Sequence, residues 1–451
     1  MSITKFIHAS KYLGITRRLK FIFSATLLAL VVACSGGSDN GSNSSQAPRY
    51  EAVIDAGSGG TRLFLYKVTP GSYPQVVKVL ESENSIQSNG YKEDGINNFT
   101  CGNQPGYSPP SAVAPQVITP LLNTLSSTLQ SLSTPTNQVT VNLLATAGMR
   151  TSEITCGTVA VNNLYAIIEQ DIVSAGYKVG DVRTSNGDSE EGVWTWISLN
   201  DYLNNIFKDS TRPTINGAPV GVVEVGGSSA QISYPTSLAP NSSQNIYSVS
   251  INGNSFSVFN RTYLGMGSTD ARKNMRGTTS SPNTMSNQCF PTGLTVDDGD
   301  AGYADMIPPG AYNFSACTGF YTPYISSTIA STPGGDPMVT NSSGNFVGTG
   351  GAYYATDYWD LNSAPNLLQS TAISKCASVS NFPRIEADEN AQTQCSNATY
   401  INALIYNSSV GLFKGNPALF QGTVSVKSGG GASTNTFISW TKGFLMTKYA
   451  Q

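Results

Sequence analysis

Two stretches of this chain repeat one arrangement of apolar and polar positions. In YEAVIDAGSGGTRLFLYKV (residues 50–68) a β-branched apolar strand ends in an acid, Asp55, a turn of small residues follows, and a second apolar strand leaves it. VGVVEVGGSSAQISYPT (residues 220–236) does the same around Glu224. Strand, acid, glycine turn, strand predicts a hairpin, and glycine in the turn lets backbone N–H groups come close to an anion such as phosphate. One such hairpin is ordinary. Two with an acid at the same offset, roughly 170 residues or one lobe apart, predict a duplicated clamp whose halves face each other across a cleft.

Between the hairpins the pattern changes period. Ala114 to Leu132 carries apolar residues at mixed helical spacing and predicts a helix, Val139 to Ala145 reads as a buried strand, and Asn162 to Ala175 as a second helix. Strand, strand, helix, strand, helix predicts an α/β lobe on a mixed sheet. We expect lobe I over residues 49–186, joined by 440–451, and lobe II over 187–439. Within lobe II, residues 270–400 are rich in Ser, Thr, Pro, Gly, Asn and Tyr and predict a loop-heavy excursion stapled by disulfides.

The N-terminal residues add a compartment. Lys5, Lys11, Arg17, Arg18 and Lys20 form a basic leader without an acid, and Phe21 to Ala33 is almost wholly apolar yet short for a membrane span. That layout predicts a signal peptide over 1–33. Val31-Val32-Ala33-Cys34 resembles a bacterial lipobox, which implies lipid on Cys34 and, with Ser35 next, sorting to an outer membrane. Residues 34–48 are then the lipidated Cys and a Gly/Ser/Asn-rich tether. Without the leader, Lys plus Arg falls from 25 to 20 against 28 acids, a net charge of about −8. No basic stripe survives, so nucleic acid is not an expected partner. A monomer outside the cytoplasm, on the membrane through Cys34, is. The Asn98 and Asn397 sequons then read as chance polar loops.

Cysteine and histidine usage narrows the chemistry. Cys101, Cys156, Cys289, Cys317, Cys376 and Cys395 remain after Cys34, and six cysteines in an exported chain predict three disulfides. Sequence alone allows 15 connectivities; sequential pairing is the expectation, since Cys289/Cys317 and Cys376/Cys395 are near neighbours. The single histidine, His8, lies in the leader. Ser-His-Asp and Cys-His nucleophiles and histidine-ligated zinc are therefore excluded from the exported chain. Acid–base work must rest on a carboxylate, and any metal must be a hard cation held by oxygens.

Five segments resemble, in order, the apyrase conserved regions of the ecto-nucleoside triphosphate diphosphohydrolase family. They are Asp55-Ala56-Gly57-Ser58-Gly59-Gly60-Thr61, Ala145-Thr146-Ala147-Gly148-Met149-Arg150, residues 187–200 (GDSEEGVWTWISLN), Glu224 to Ile232 (EVGGSSAQI), and, more weakly, Ser439 to Leu445 (SWTKGFL). The resemblance implies an α/β, two-lobed actin-like (ribonuclease-H-like) ATPase fold with its active site in the interlobe cleft. It implies hydrolysis of nucleoside tri- and diphosphates to monophosphates with Mg2+ or Ca2+. By motif position Glu191 is the general base, with Ser229 and Gln231 near the attacking water. Asp55 and Glu224 hold the cation, in part through its waters. Ser58, Gly59, Gly60, Thr61 and Thr146 bind phosphate from one lobe, and Gly226, Gly227 and Ser228 from the other. Trp440 is placed near the base, although Trp194, Trp196 and Trp440 all have a core reading too. Arg150 has two readings, a phosphate contact or a cap on the cleft edge. Glu190 is the rival to Glu191, which is preferred because it directly precedes Gly192.

The chain departs from that family pattern. Glu224 stands where aspartate is usual, which puts metal geometry in question. Trp194-Thr195 replaces Tyr-Gly, the third region carries an extra residue between Gly187 and Glu190, and Gly60 lacks a side chain to touch phosphate. Three other functions compete with this reading. The leader and Thr-Ala-Gly-Met-Arg argue against a polyphosphate-type phosphohydrolase. Scarce ATP outside the cytoplasm argues against a sugar-kinase-like phosphotransferase. A lipid-anchored surface binding protein of the same fold with little catalysis stays open, and phosphate release from ATP and ADP separates all of these.

Overall fold

The computed structural model describes residues 47–84, 95–102, 107–206, 217–278, 281–292, 310–335, 337, 339–342, 344–382, 389–425 and 438–450. The expected leader, Cys34 and all but the end of the tether lie outside the described residues. Among the described residues no helix is long and apolar enough to cross a membrane.

The first hairpin is β1 (Arg49–Gly57) and β2 (Gly60–Thr69), followed by β3 (Gln75–Asn84). Ala52, Val53 and Ile54 are all fully buried, because the strand they form is covered on both faces and cannot alternate. A π-turn over Ala114–Ile118 leads into helix α1 (Thr119–Ser131), which accounts for the mixed spacing of its apolar residues. Strand β4 (Thr140–Ala145), helices α2 (Ala147–Cys156) and α3 (Thr158–Ser174), and strand β5 (Lys178–Thr184) complete a sheet of order β3-β2-β1-β4-β5. Helix α3 turns Val161, Leu164, Tyr165, Ile168 and Ile172 inward, a three-to-four-residue spacing that makes one apolar stripe.

A π-turn, Gly187–Glu191, opens helix α4 (Gly192–Tyr202). The second sheet then begins with β6 (Gly221–Val225), β7 (Ser229–Thr236), β8 (Ile246–Ile251) and β9 (Asn254–Leu264). Helix α5 (Ser268–Arg276) follows, and a two-residue ribbon pairs β10 (Gly277–Thr278) with β11 (Ser281–Pro282). Next come α6 (Phe314–Ser331), β12 (Phe346–Gly350), α7 (Gly351–Asp357), α8 (Leu368–Lys375), α9 (Glu389–Tyr406), β13 (Phe420–Thr423) and α10 (Trp440–Tyr449). The sheet order is β13-β12-β6-β7-β9-β8.

The two sheets are built alike. In each, an acid-bearing strand pairs antiparallel with its hairpin partner on one side and parallel with a later strand on the other. Asp55 lies opposite Arg62 of β2 and Leu144 of β4, and Glu224 lies opposite Gln231 of β7 and Thr349 of β12. Helices α4 and α10 lie between the sheets, in a core that joins Val53, Phe64 and Leu144 of the first sheet to Val222 and Val258 of the second. The end of α10 docks on lobe I, where Tyr449 donates to Glu51 at 2.5 Å and Lys448 to Asn142 at 2.9 Å.

Residues 270–400 correct the sequence reading. Their described parts are largely helical, in α5 to α9, and one segment supplies the parallel strand β12. Helix α6 turns a short stripe of Cys317, Tyr321 and Ile325 inward, and α9 is buried on more than one side through Cys395, Ser396, Ala398, Thr399 and Tyr400, so its pattern shows no single apolar stripe. The stapling does occur. Cys289 pairs with Cys317 and Cys376 with Cys395, while Cys101–Cys156 ties the end of α2. Alkylation of unreduced protein is expected to label none of these six. Reduction should cost most at Cys101–Cys156, which closes the longest interval, 55 residues, for roughly 4 kcal/mol of chain entropy. Mass spectrometry and thermal unfolding with and without reductant check both statements.

Candidate active site

The two hairpin turns meet. A Cβ added to Gly227 would lie 2.7 Å from Ser58 Oγ, so glycine is what lets the second turn approach the first. The second turn is braced from behind by the start of α5. Ser268 N–H donates to the Gly226 carbonyl (2.9 Å), and Thr269 and Asp270 N–H both donate to that of Gly227 (3.0 and 3.1 Å).

Beneath the turns lies a cavity of about 550 Å³. Asp55, Ser58, Gly59, Gly60, Thr146, Glu191, Glu224, Gly226, Gly227, Ser228, Ser229 and Trp440 line it, twelve of the fifteen residues named from sequence. Three do not reach the wall. Thr61 is fully buried because it follows Gly60 by one residue along a strand and so faces the opposite side. Gln231, 1% exposed, reaches the cavity only through Ser229, to whose Oγ it donates at 2.8 Å. Arg150 is turned toward two residues of the wall. Its Nη2 lies 2.7 Å from Glu191 Oε2, out of line for a hydrogen bond but within ion-pair range, and 3.3 Å from Ser229 Oγ.

Glu191 ends the π-turn, 6% exposed and on the cavity wall. Glu190 turns the other way. Its oxygens take both arms of Arg183 at 2.7 and 2.8 Å and the Asn186 N–H at 2.7 Å, and it lines a separate hollow. Ser229 Oγ accepts from Gln231 and Arg150, which leaves its single hydrogen to be donated into the cavity.

Glu224 is enclosed beside two like charges. Burial first, then Glu191 and Asp55, push its carboxyl up to about 8, against the opposing hydrogen bond from Thr195 Oγ1 at 2.7 Å. Two departures noted in the sequence therefore meet here: the longer carboxylate at 224 reaches the hydroxyl that stands at 195.

The sequence reading missed the far half of the wall. Gly350 ends β12 and Gly351 opens α7, as Thr146 and Ala147 follow β4, so both lobes present a parallel strand's carboxyl end to the cavity. Gly350 has φ +61°, and a Cβ there would strike the Val225 carbonyl at 2.4 Å. The Phe-Val-Gly-Thr-Gly-Gly run at 346–351 was the available signal, an apolar strand ending in glycines like the one before Arg150. Arg272, Tyr354, Asp357, Thr393, Gln394 and Asn397 were not legible, because α5, α7 and α9 bring them together from distant parts of the chain. Trp440 stacks on Trp194 at 6.1 Å and is 6% exposed, whereas Tyr354 is 42% exposed.

Duplicated sheets whose acid–glycine hairpins meet over one cavity define the two-lobed, actin-like class. Over 90% of this chain and 93% of the other, the fold is similar to that of nucleoside triphosphate hydrolases from Neospora caninum, with a TM-score of 0.56 at 14% identity. The sequence profile of the GDA1/CD39 (nucleoside phosphatase) family matches residues 42–332, well over half of the chain, and the protein belongs to that family. Its relatives include nucleoside-triphosphatase ntp-1 of Caenorhabditis elegans, 25% identical over 61% of this chain and 51% of that protein. Ectonucleoside triphosphate diphosphohydrolase 2 of Gallus gallus is 25% identical over 59% and 52%, and probable apyrase 4 of Arabidopsis thaliana 20% identical over 82% and 74%. The chain thus spans about half the length of the first two.

Proposed function

We propose that this protein hydrolyses nucleoside tri- and diphosphates to monophosphates outside the cytoplasm, using a divalent cation and water activated by Glu191. The observation that carries this reading is the facing pair of acid–glycine turns with a cavity-lining glutamate beside them. Family membership and the names of the relatives support it.

The residues of the cavity fit a divalent cation. Asp55, Glu191 and Glu224 bring three carboxylates to one cavity wall, where burial first and then the neighbouring charges push Glu224 up to about 8. Among the described residues no three acidic, histidine or cysteine side chains close into a direct ligand cluster. Asp55 and Glu224 therefore suit a hydrated Mg2+ or Ca2+ that takes other ligands from water and phosphate. When bound, it supplies charge neutralisation on the phosphate oxygens. Glu191 takes the proton from the attacking water as the terminal P–O bond breaks. The Ser229 hydroxyl, fixed by Gln231, orients that water, and the backbone of both turns holds the phosphates. Tyr354 is the better exposed platform for the base, and Trp440 lines the same cavity.

Phosphate release from ATP and ADP with and without magnesium tests the reading; no release from either nucleotide overturns it. A pH signature follows from Glu224. Below pH 8 its proton competes with the cation, so cation affinity should rise by up to about tenfold per pH unit between roughly pH 6 and 8 and then level off. Calorimetry in buffers of different ionisation enthalpy should find close to one proton released per cation near pH 7. Glu224→Asp, too short to keep the Thr195 bond, should stay active with an altered magnesium-to-calcium preference, read as the ratio of rates with each metal.

A further inference from the structure

The turn that carries Glu191 is anchored to a strand of the second lobe by contacts that no part of the mechanism above uses. Asn260, on β9, is fully buried. Its Nδ2 donates to the Gly187 carbonyl at 2.9 Å and also to the Asp188 carbonyl, while its Oδ1 accepts from Ser233 Oγ at 2.7 Å. Ser233 faces Asn260 across the β7–β9 ladder, so the amide is held in one orientation. Two residues along β9, the Thr262 N–H donates to Asp188 Oδ1 at 2.7 Å. Asn186 closes the other end of the turn, its side chain accepting from Asp188 and Ser189 N–H at 2.9 Å and its carbonyl from Glu191 N–H at 3.1 Å. Gly192 completes the fit, since a Cβ there would lie 2.1 Å from Asn260 Oδ1.

These contacts explain the wide form of the turn. A regular helix would bond the carbonyls at 187 and 188 to N–H groups four residues on. Here a side chain from another strand engages both, and the turn opens to the five-residue spacing of a π-helix. That extra width sets where the last residue of the turn, Glu191, enters the cavity.

Resting on the reading of Glu191 as the base, we propose that Asn260 and Asp188 are positioning residues, which pin the π-turn to β9 and so fix the Glu191 carboxylate against the attacking water. A base displaced by about 1 Å loses on the order of 10²-fold in rate, and loss of either anchor should cost part of that. Asn260→Ala and Asp188→Ala are expected to lower kcat by about 10- to 100-fold, with KM for magnesium–ATP within about twofold of wild type, because the phosphate-binding turns are untouched. Asp188→Asn keeps an acceptor for the Thr262 N–H and should recover most of the loss.

The deciding measurement is a double-mutant cycle. In a Glu191→Gln background neither alanine variant should lower kcat further, since there is no base left to position. An equal further loss in that background, a rise in KM with kcat intact, or an Asp188→Asn variant as damaged as Asp188→Ala overturns the proposal. If Asn260→Ala fails to fold, Asp188→Ala, on a partly exposed residue, carries the same test. A Glu191→Gln enzyme turning over near the wild-type rate shows a different failure. The base assignment then falls, and the proposal with it, whatever the anchor variants do.

Discussion

Glu191→Gln is expected to lower kcat with magnesium and ATP by about 10²–10⁴-fold, the usual range for a positioned base, while nucleotide affinity stays close to wild type. Glutamine keeps the size and much of the hydrogen bonding but cannot take a proton from water. No histidine exists beyond His8, and all six cysteines of the folded part are in disulfides, so the base must be a carboxylate, and of Asp55, Glu191 and Glu224 on the cavity wall the first and last are given to the cation. Glu190→Gln is the control. That carboxylate is committed to Arg183 and to the start of the turn, away from the cavity, and its loss should cost far less. Steady-state rates and nucleotide binding for both variants decide the matter. A dead Glu190→Gln beside an active Glu191→Gln would move the assignment by one residue, and two active variants would end the carboxylate-base mechanism.

Lys442→Met should destabilise the fold by about 3–5 kcal/mol, the cost of leaving a buried charge without its partner ion. Lys442 on α10 lies 2.5 Å from Asp201 on α4, both side chains 2% exposed, and Tyr73 donates to the same carboxylate at 2.7 Å. The pair joins the two helices that lie between the sheets. The same helices carry cavity residues at their starts, Trp440 at the head of α10 and Glu191 just before α4. The urea midpoint of the variant should fall well below that of wild type. Adding Asp201→Asn, which removes the stranded charge, should restore part of the loss. If the double variant is no more stable than Lys442→Met, the buried charge is not the source of the effect.

Much of the site was legible before the fold was known. Asp55, Glu224 and the glycine turns lie on contiguous segments where strand periodicity and a change to small residues are visible side by side. Twelve of fifteen named residues line the cavity, those of the hairpins for that reason and Thr146, Glu191 and Trp440 by their place in the motifs of the family resemblance. The residues that stand off the wall have reasons as well. Thr61 was assigned from its motif although strand alternation turns it inward. Arg150 was read alone, and only the fold shows that its partner is Glu191. The helices of residues 270–400 escaped notice because the buried stripes of α6 and α8 are short and set among Ser, Thr, Ala, Cys and Tyr, and α9 is buried on more than one side.

The sequence by itself determined the chemistry this protein has available: carboxylates with no histidine beyond His8, two glycine hairpins with acids at one offset, and, after Cys34, cysteines in the number for three bridges. Those properties are local or compositional, so a linear reading finds them. Only the tertiary structure decided which acid faces the cavity, that Thr195 meets Glu224, that Asn260 anchors the turn of Glu191, and that α5, α7 and α9 supply the far wall. Each of those is a contact between segments distant in sequence. Hydrophobic periodicity records how a segment buries one of its faces, and it carries no record of which partner covers that face.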